Sequence, residues 1–131
     1  MATTDFCTDT LCVTGNPLMK ITDIRKTAEY AHAHGMILIV DNTFLTPYLQ
    51  QPLALGADVV VQSGTKYLCG HNDTLAGFVT TNNDQIAENL VVITKTTGSA
   101  LPPFDSYLII RGIFTNETTL SCIKLLLNNF N

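Results

Sequence analysis

"MILIVDNTFLTPYLQQPLALGADVVVQSGTKYLCGHND", residues 36–73, decides the fold class. "MILIVDN" is an unbroken apolar run of strand length that ends in polar residues, and "DVVVQS", residues 58–63, repeats the pattern. Such runs carry no alternation because a strand in a parallel sheet is covered on both faces. Between them "TPYLQQPLALGA", residues 46–57, reads as a short helix, with Thr46-Pro47 at its start and Gly56 near its end. Strand, helix, strand is the βαβ unit, and it predicts a parallel sheet flanked by helices.

The flanking segments extend the pattern. Thr22 and Asp23 can cap a helix whose mainly apolar face holds Ile24, Ala28, Tyr30 and Ala31, with Gly35 as its C-cap. "TLAGFVTT", residues 74–81, reads as a third strand. "NDQIAENLVVITKTTG" reads as a helix ending at Gly98. "PPFDSYLIIRGIF", residues 102–114, opens on prolines and continues as an apolar helix, and the tail is expected to be helical again from about residue 117. No strand follows these last helices, which is unusual for a complete α/β domain. The sequence holds neither an internal repeat nor a low-complexity linker.

At 131 residues the chain is one domain at most, and a chain of this size removes roughly two thirds of its unfolded surface from water. The composition is 46% hydrophobic and 14% charged, with a formal net charge of -4. That balance excludes a nucleic-acid partner, because neutralising phosphates takes a basic face. No apolar run approaches the roughly 20 residues of a membrane span, so no membrane partner is expected. "MATTDFCTDTL" has neither the basic start nor the apolar core of a signal peptide. Cys7, Cys12, Cys69 and Cys122 form no C-x-x-C pair, which fits plain thiols in a reducing cytoplasm. His32 and His34 lie two apart on a helix and point to nearly opposite sides, so no metal site is expected. Cys69 and His71 share a turn without forming a recognisable nucleophile pair.

In open parallel sheets ligands sit beyond the carboxyl ends of the strands. Asp41 ends one strand, and Ser63, Thr65 and Lys66 follow the end of the next, so topology alone brings them to one rim. A pyridoxal phosphate site needs an amine for a Schiff base, a carboxylate for the pyridine nitrogen and hydroxyl donors for the phosphate. Lys66 can be the amine, Asp41 the carboxylate, Ser63 and Thr65 the phosphate ligands, and Asn16 in "GNP" a contact to the ring hydroxyl. The same residue types also have plainer uses. Asp at a strand end is commonly a cap or turn residue, and a lysine after a strand is commonly solvated.

"VDNTFLTPYLQQPLALGADVVVQSGTKYLCGHNDTLAGFV" resembles the centre of the Cys/Met-metabolism family of pyridoxal-phosphate enzymes, which includes cystathionine γ-synthase, the cystathionine lyases and methionine γ-lyase. The family pattern is V-D-N-T-[FW]-x-T-P, a strand, then S-x-T-K-[YF]-x-x-G-H-x-D, and every fixed element is here. Asp41 lies 25 residues before Lys66 and 25 after Asn16, as in the family. The resemblance covers about residues 14–113. It implies a fragment of the large domain of a fold-type I pyridoxal-phosphate-dependent transferase: α/β, with a mostly parallel sheet flanked by helices. It implies pyridoxal 5'-phosphate as cofactor and Lys66 as the Schiff-base lysine and proton carrier. Asp41 becomes the partner of the pyridine nitrogen, Ser63 and Thr65 phosphate ligands, and Asn16 a neighbour of the ring hydroxyl. Asn42, Thr43, His71 and Asp73 shape loops. The implied activity is β- or γ-elimination or γ-replacement on cystathionine, homoserine esters, cysteine or methionine, in a homo-oligomer.

The departures divide the chain into an N-terminal segment, residues 1–13, a cofactor-binding core, 14–113, and a helical tail, 114–131. Cys12 stands where the family has a glutamate. The phosphate turn, the stacking tyrosine, the cross-subunit tyrosine-arginine pair and the arginine that grips the substrate carboxylate have no counterpart, and "LIIRG" sets Arg111 on a helix away from that last role. The resemblance therefore implies a truncated member that is a poor catalyst alone. The alternative is a non-catalytic remnant that binds cofactor weakly or associates with relatives.

Overall fold

The computed structural model describes residues 9–12, 14–15 and 20–128. A four-stranded sheet in the order β1 (Asp9–Cys12), β4 (Leu38–Asp41), β5 (Val59–Ser63) and β6 (Gly77–Thr81) forms its centre. β1, β4 and β5 are parallel, and β6 returns antiparallel along β5. β2 (Thr14–Gly15) and β3 (Lys20–Ile21) form a separate two-residue ribbon. The sheet is thus α/β and mostly parallel, as the sequence implies. The third strand begins three residues later than the sequence reading places it, because residues 74–76 make the return from the lysine turn.

Helix α1 (Ile24–Ala33) begins at Asp23, whose carboxylate accepts from the Lys26 amide at 3.2 Å. Ile24, Ala28 and Ala31 recur at helical spacing and are buried. Tyr30, expected on that face, is instead exposed and stacks on His34, with ring centroids 4.2 Å apart. The helix ends as a Schellman turn. The Gly35 amide donates to His32 O and the Met36 amide to Ala31 O. His34 is the C-cap itself, and Gly35 takes the left-handed position one residue beyond, at φ 69°.

The buried side of α1 meets Leu38, Val40 and Val60 from the sheet and Ala57 from the loop before β5, with Met36, Leu45, Leu53 and Leu55 around them. The helix expected over 46–57 is split. α2 covers only Thr46–Leu49, Gln50 is extended (φ -146°, ψ 135°), and a 3-10 turn follows at Pro52–Leu55. Pro52 removes an amide donor and pushes the residue before it out of helical space, which stops the first helix. Gly56 sits at φ 102°, where an added Cβ would lie 3.0 Å from the Ala28 methyl. That position needs glycine for backbone and for space.

Strand alternation gives the sheet two unlike faces. Leu38, Val40 and Val60 face α1. Ile39, Val61 and Val79 face α3 (Asp84–Thr97), which runs from an Asn83 cap to a left-handed Gly98 as its sequence predicts. No residue of α3 is buried, and a cleft of about 650 Å³ opens between Ile86, Leu90 and Ile93 and the sheet. The two helices read separately from the C-terminal sequence are one, α4 (Pro103–Asn128). None of the helices, over the described residues, is long and apolar enough to cross a membrane.

Leu38 is 1% exposed and Leu75, in the loop before β6, is 79% exposed. Leu38→Ala is expected to cost about 2–5 kcal/mol in urea unfolding. Leu75→Ala is expected to stay within about 0.5 kcal/mol. Similar losses for the two would mean that the α1-facing layer is not the core.

Candidate active site

Because β4 and β5 are parallel and in register, with Asp41 opposite Val61, their carboxyl ends reach the same edge of the sheet. Asp41 follows Ile39 by two residues and Ser63 follows Val61 by two. Period-two alternation therefore sends both side chains to the α3 face, at the rim. The strand ends are tied by the Asn42 amide, which donates to Val61 O at 3.0 Å, and by Thr43, a residue the sequence pattern assigns only to loop shape. Thr43 donates its amide to Asp41 Oδ1 at 2.9 Å, and its Oγ1 accepts from the Ser63 amide at 2.9 Å. The neighbouring Asn42 is buried and exchanges two hydrogen bonds with Gln50.

Beyond Ser63 the chain makes a wide π turn, Gly64–Leu68. Lys66 leaves helical geometry there (φ -88°, ψ -122°), and its side chain is exposed. Among the described residues its ammonium pairs with no carboxylate, and the Ser63 hydroxyl has no hydrogen-bond partner. Thr65 is different. Its amide donates to Ala76 O at 3.2 Å, its hydroxyl donates to the same oxygen at 3.3 Å, and that hydroxyl accepts from the Ala76 amide at 3.0 Å. Thr65 thus joins the lysine turn to the start of β6. Asn16 lies outside the described residues.

The turn ends in "CGHND". Cys69 is a free, buried thiol, and it donates to Asp73 Oδ1 at 3.3 Å. Asp73 also forms an ion pair with Arg111 of α4, and that bond is the main reason its carboxyl is held below the usual carboxylate range. Thr74 donates to Asp105 Oδ1 at 2.6 Å. Arg111, with no role in the sequence reading beyond its helix, is therefore part of the support of the lysine turn. It lies 38 residues from Asp73, and no local pattern announces such a pairing. Thr46 is likewise unforeseen. It is 1% exposed at φ 57° with a buried hydroxyl that lacks a partner among the described residues. The following Pro47 disfavours right-handed helix at Thr46, and a β-branched residue pays strain to sit left-handed.

His32 and His34 have separate partners. His32 meets Asp58 at 2.9 Å, and His34 bonds Tyr30 O. No group of three His, Cys, Asp or Glu able to hold a metal occurs among the described residues.

The rim thus brings together an exposed amine, a carboxylate and a hydroxyl without a partner among the described residues, and an amine of this kind can condense with an aldehyde. The chain belongs to the Cys/Met metabolism PLP-dependent enzyme family, whose profile matches residues 10–121. It is 52% identical over 100 residues to a cystathionine beta-lyase of Lactococcus lactis subsp. cremoris, a match that covers 76% of this chain and 26% of the relative. It is 53% identical over the same length to a cystathionine gamma-lyase of Bacillus subtilis (strain 168), again over 76% and 26%. The structure is similar to that of cystathionine gamma synthase from Xanthomonas oryzae pv. oryzae in complex with aminoacrylate and cysteine. The TM-score is 0.82 at 40% identity, over 85% of this chain and 29% of the other. The chain spans about a quarter of the length of the relatives it matches.

Thr65→Val is expected to lower stability by about 1 kcal/mol or more, because the Ala76 amide loses its acceptor. Thr65→Ser, which keeps the hydroxyl, is expected to retain most of it in thermal melts. If Thr65→Val melts like the parent, the hydroxyl is free for another ligand and the link to β6 is idle.

Proposed function

We propose that this chain holds pyridoxal 5'-phosphate at the carboxyl rim of its sheet, as part of an enzyme of sulfur amino-acid metabolism. The reaction class is β- or γ-elimination or γ-replacement on cystathionine, homoserine esters, cysteine or methionine. One observation carries this reading: the parallel register sets Asp41 and Ser63 on one face of one rim, beside a turn on which the Lys66 amine has no partner among the described residues. The donor set fits the cofactor. Lys66 Nζ would hold the aldehyde, Ser63 would serve the phosphate, and Asp41, one of whose oxygens accepts from the Thr43 amide, would pair with the ring nitrogen. Thr65 contributes to the phosphate only by turning its hydroxyl away from Ala76 O, a long bond at 3.3 Å. Asn16 is assigned to the ring hydroxyl on the strength of family spacing.

The bound cofactor supplies an electron-accepting ring when a bond at the substrate α-carbon breaks. The chain's own residues do the rest. A carboxylate at the ring nitrogen favours the protonated form of that nitrogen, and Asp41 would fill this place. Lys66 Nζ would take and return protons at the substrate carbons. The core at residues 14–113, the cytoplasmic location and self-association are parts of the same proposal. Self-association is supported by the open apolar cleft under α3.

A second reading, binding without efficient turnover, has its own support. Arg111 is committed to Asp73, and Arg25 lies exposed on α1. Arg111 is thus occupied, and α1 packs on the sheet face opposite the one that carries Asp41 and Ser63, so neither arginine is placed for a substrate carboxylate, and catalysis by this cofactor depends on holding the substrate bond in a fixed orientation.

Borohydride reduction in the presence of pyridoxal phosphate, followed by peptide mapping, is expected to label Lys66 in preference to Lys20, Lys26, Lys95 and Lys124. Labelling in proportion to exposure would reject the site. Asp41→Asn preserves the acceptor for the Thr43 amide and removes the charge. It is expected to raise the Kd for pyridoxal phosphate about ten-fold or more, from the strength of hydrogen bonds to charged groups. An unchanged Kd in an absorbance titration would remove Asp41 from the site.

A further inference from the structure

The lysine turn is held from two sides by different elements. On its amino side Thr65 is bonded to Ala76, next to β6. Within it, the Cys69 amide donates to Gly64 O at 2.9 Å and the Gly70 amide to Lys66 O at 3.0 Å. On its carboxyl side every anchor belongs to α4. Asp105, Leu108, Ile109 and Gly112 recur at i, i+3, i+4 and i+7, one face of a helix. Asp105 accepts from Thr74, and Leu108 and Ile109 are buried.

Gly112 marks the closest approach. A Cβ there would lie 2.1 Å from Cys69 O and 2.6 Å from Cys69 Cα. Only a residue without a side chain lets the helix backbone lie against the backbone that follows Lys66. Arg111 adds the charge pair to Asp73, with both side chains 37% exposed. Its Nε is buried without a partner among the described residues, so the guanidinium's recorded hold is its Nη2 contact to Asp73.

We infer that Asp73 and Arg111 are positioning residues: their ion pair clamps residues 69–74 onto α4 and thereby fixes where the Lys66 amine stands relative to the rim. The inference rests on the cofactor reading only for what the amine does, since the clamp itself is a property of the chain. The pH dependence follows from the charge pair. Arg111 keeps Asp73 ionised below the usual carboxylate pKa. The clamp is therefore fully present above that ordinary value and is lost as pH falls through the lower folded one. Cys69, whose thiol donates to Asp73, and His71, bonded to Cys69 O, are the nearby titratable groups from the same turn, and Asp105 and Tyr107 are those from α4.

The test uses the full chain with Asp73→Asn, Arg111→Gln, Asp73→Glu and, as a second way to loosen the same contact, Thr74→Val. Two readouts are compared at neutral pH. The first is the ratio of borohydride-trapped pyridoxyl label at Lys66 to that at Lys95, an exposed lysine on α3 that serves as internal reference. The second is amide hydrogen exchange without cofactor, which resolves local from global opening. The expected result is a fall of the Lys66:Lys95 ratio by five-fold or more in Asp73→Asn and Arg111→Gln. Asp73→Glu should keep at least half of the parent ratio. Exchange should quicken at 64–70 in the two charge variants and in Thr74→Val, with the amides of 38–41 and 59–62 unchanged. An unchanged ratio, or exchange that rises equally across the sheet, overturns the clamp. If the parent chain itself fails to trap at Lys66, the cofactor reading falls, and the exchange pattern alone decides the clamp.

Discussion

The parallel pairing of β4 with β5 is the constraint on which the site depends, and side chains fix it at both ends. At the amino end Asp58 takes the Leu38 amide at 2.7 Å and the His32 ring at 2.9 Å, while its own amide donates to Leu38 O. At the carboxyl end Thr43 takes the Ser63 amide. A slip of one residue would turn Asp41 and Ser63 to the α1 face and expose Val40 and Val60. Burial of Val40 (0% exposed) and Val60 (2%) therefore holds the polar rim in place. The core and the site are the two faces of one register.

Much of this is legible in the sequence. The apolar runs over 36–40 and 59–61 announce buried strands, the connection between them announces parallel pairing, and the rim position of Asp41 and Lys66 follows. What is not legible is set by contacts distant in sequence or by a single proline. Pro52 divides a segment that reads as one helix. Tyr30 sits at an apolar-looking position but finds His34 rather than the core. Thr65 reads as a phosphate ligand by motif, and its hydroxyl is bound to Ala76. The Asp73–Arg111 pair joins a turn to a helix 38 residues on, beyond any periodicity. These residues belong to the support of the site, where tertiary contacts rather than local preference decide.

The two sheet faces differ in how far they are covered. The α1 face is packed, whereas the α3 face carries an apolar cleft and a helix with no buried residue. The candidate site lies at the edge of that less covered face. A cofactor bound there would meet a rim that is rigid at Asp41, Thr43 and Ser63, and a lysine turn whose rigidity comes from β6 on one side and α4 on the other. The precision of the amine thus depends on two elements that make no strand contact with β4.

The central claim is that Asp41, Ser63 and Lys66 form one pyridoxal phosphate site. It is tested most directly by amide chemical shifts of the isotope-labelled chain during titration with pyridoxal phosphate. The account predicts saturable changes concentrated at residues 41–43, 63–66 and Gly77, with α3 little affected. Changes concentrated at Ile86–Ile93, or scattered around the exposed lysines without saturation, would contradict it.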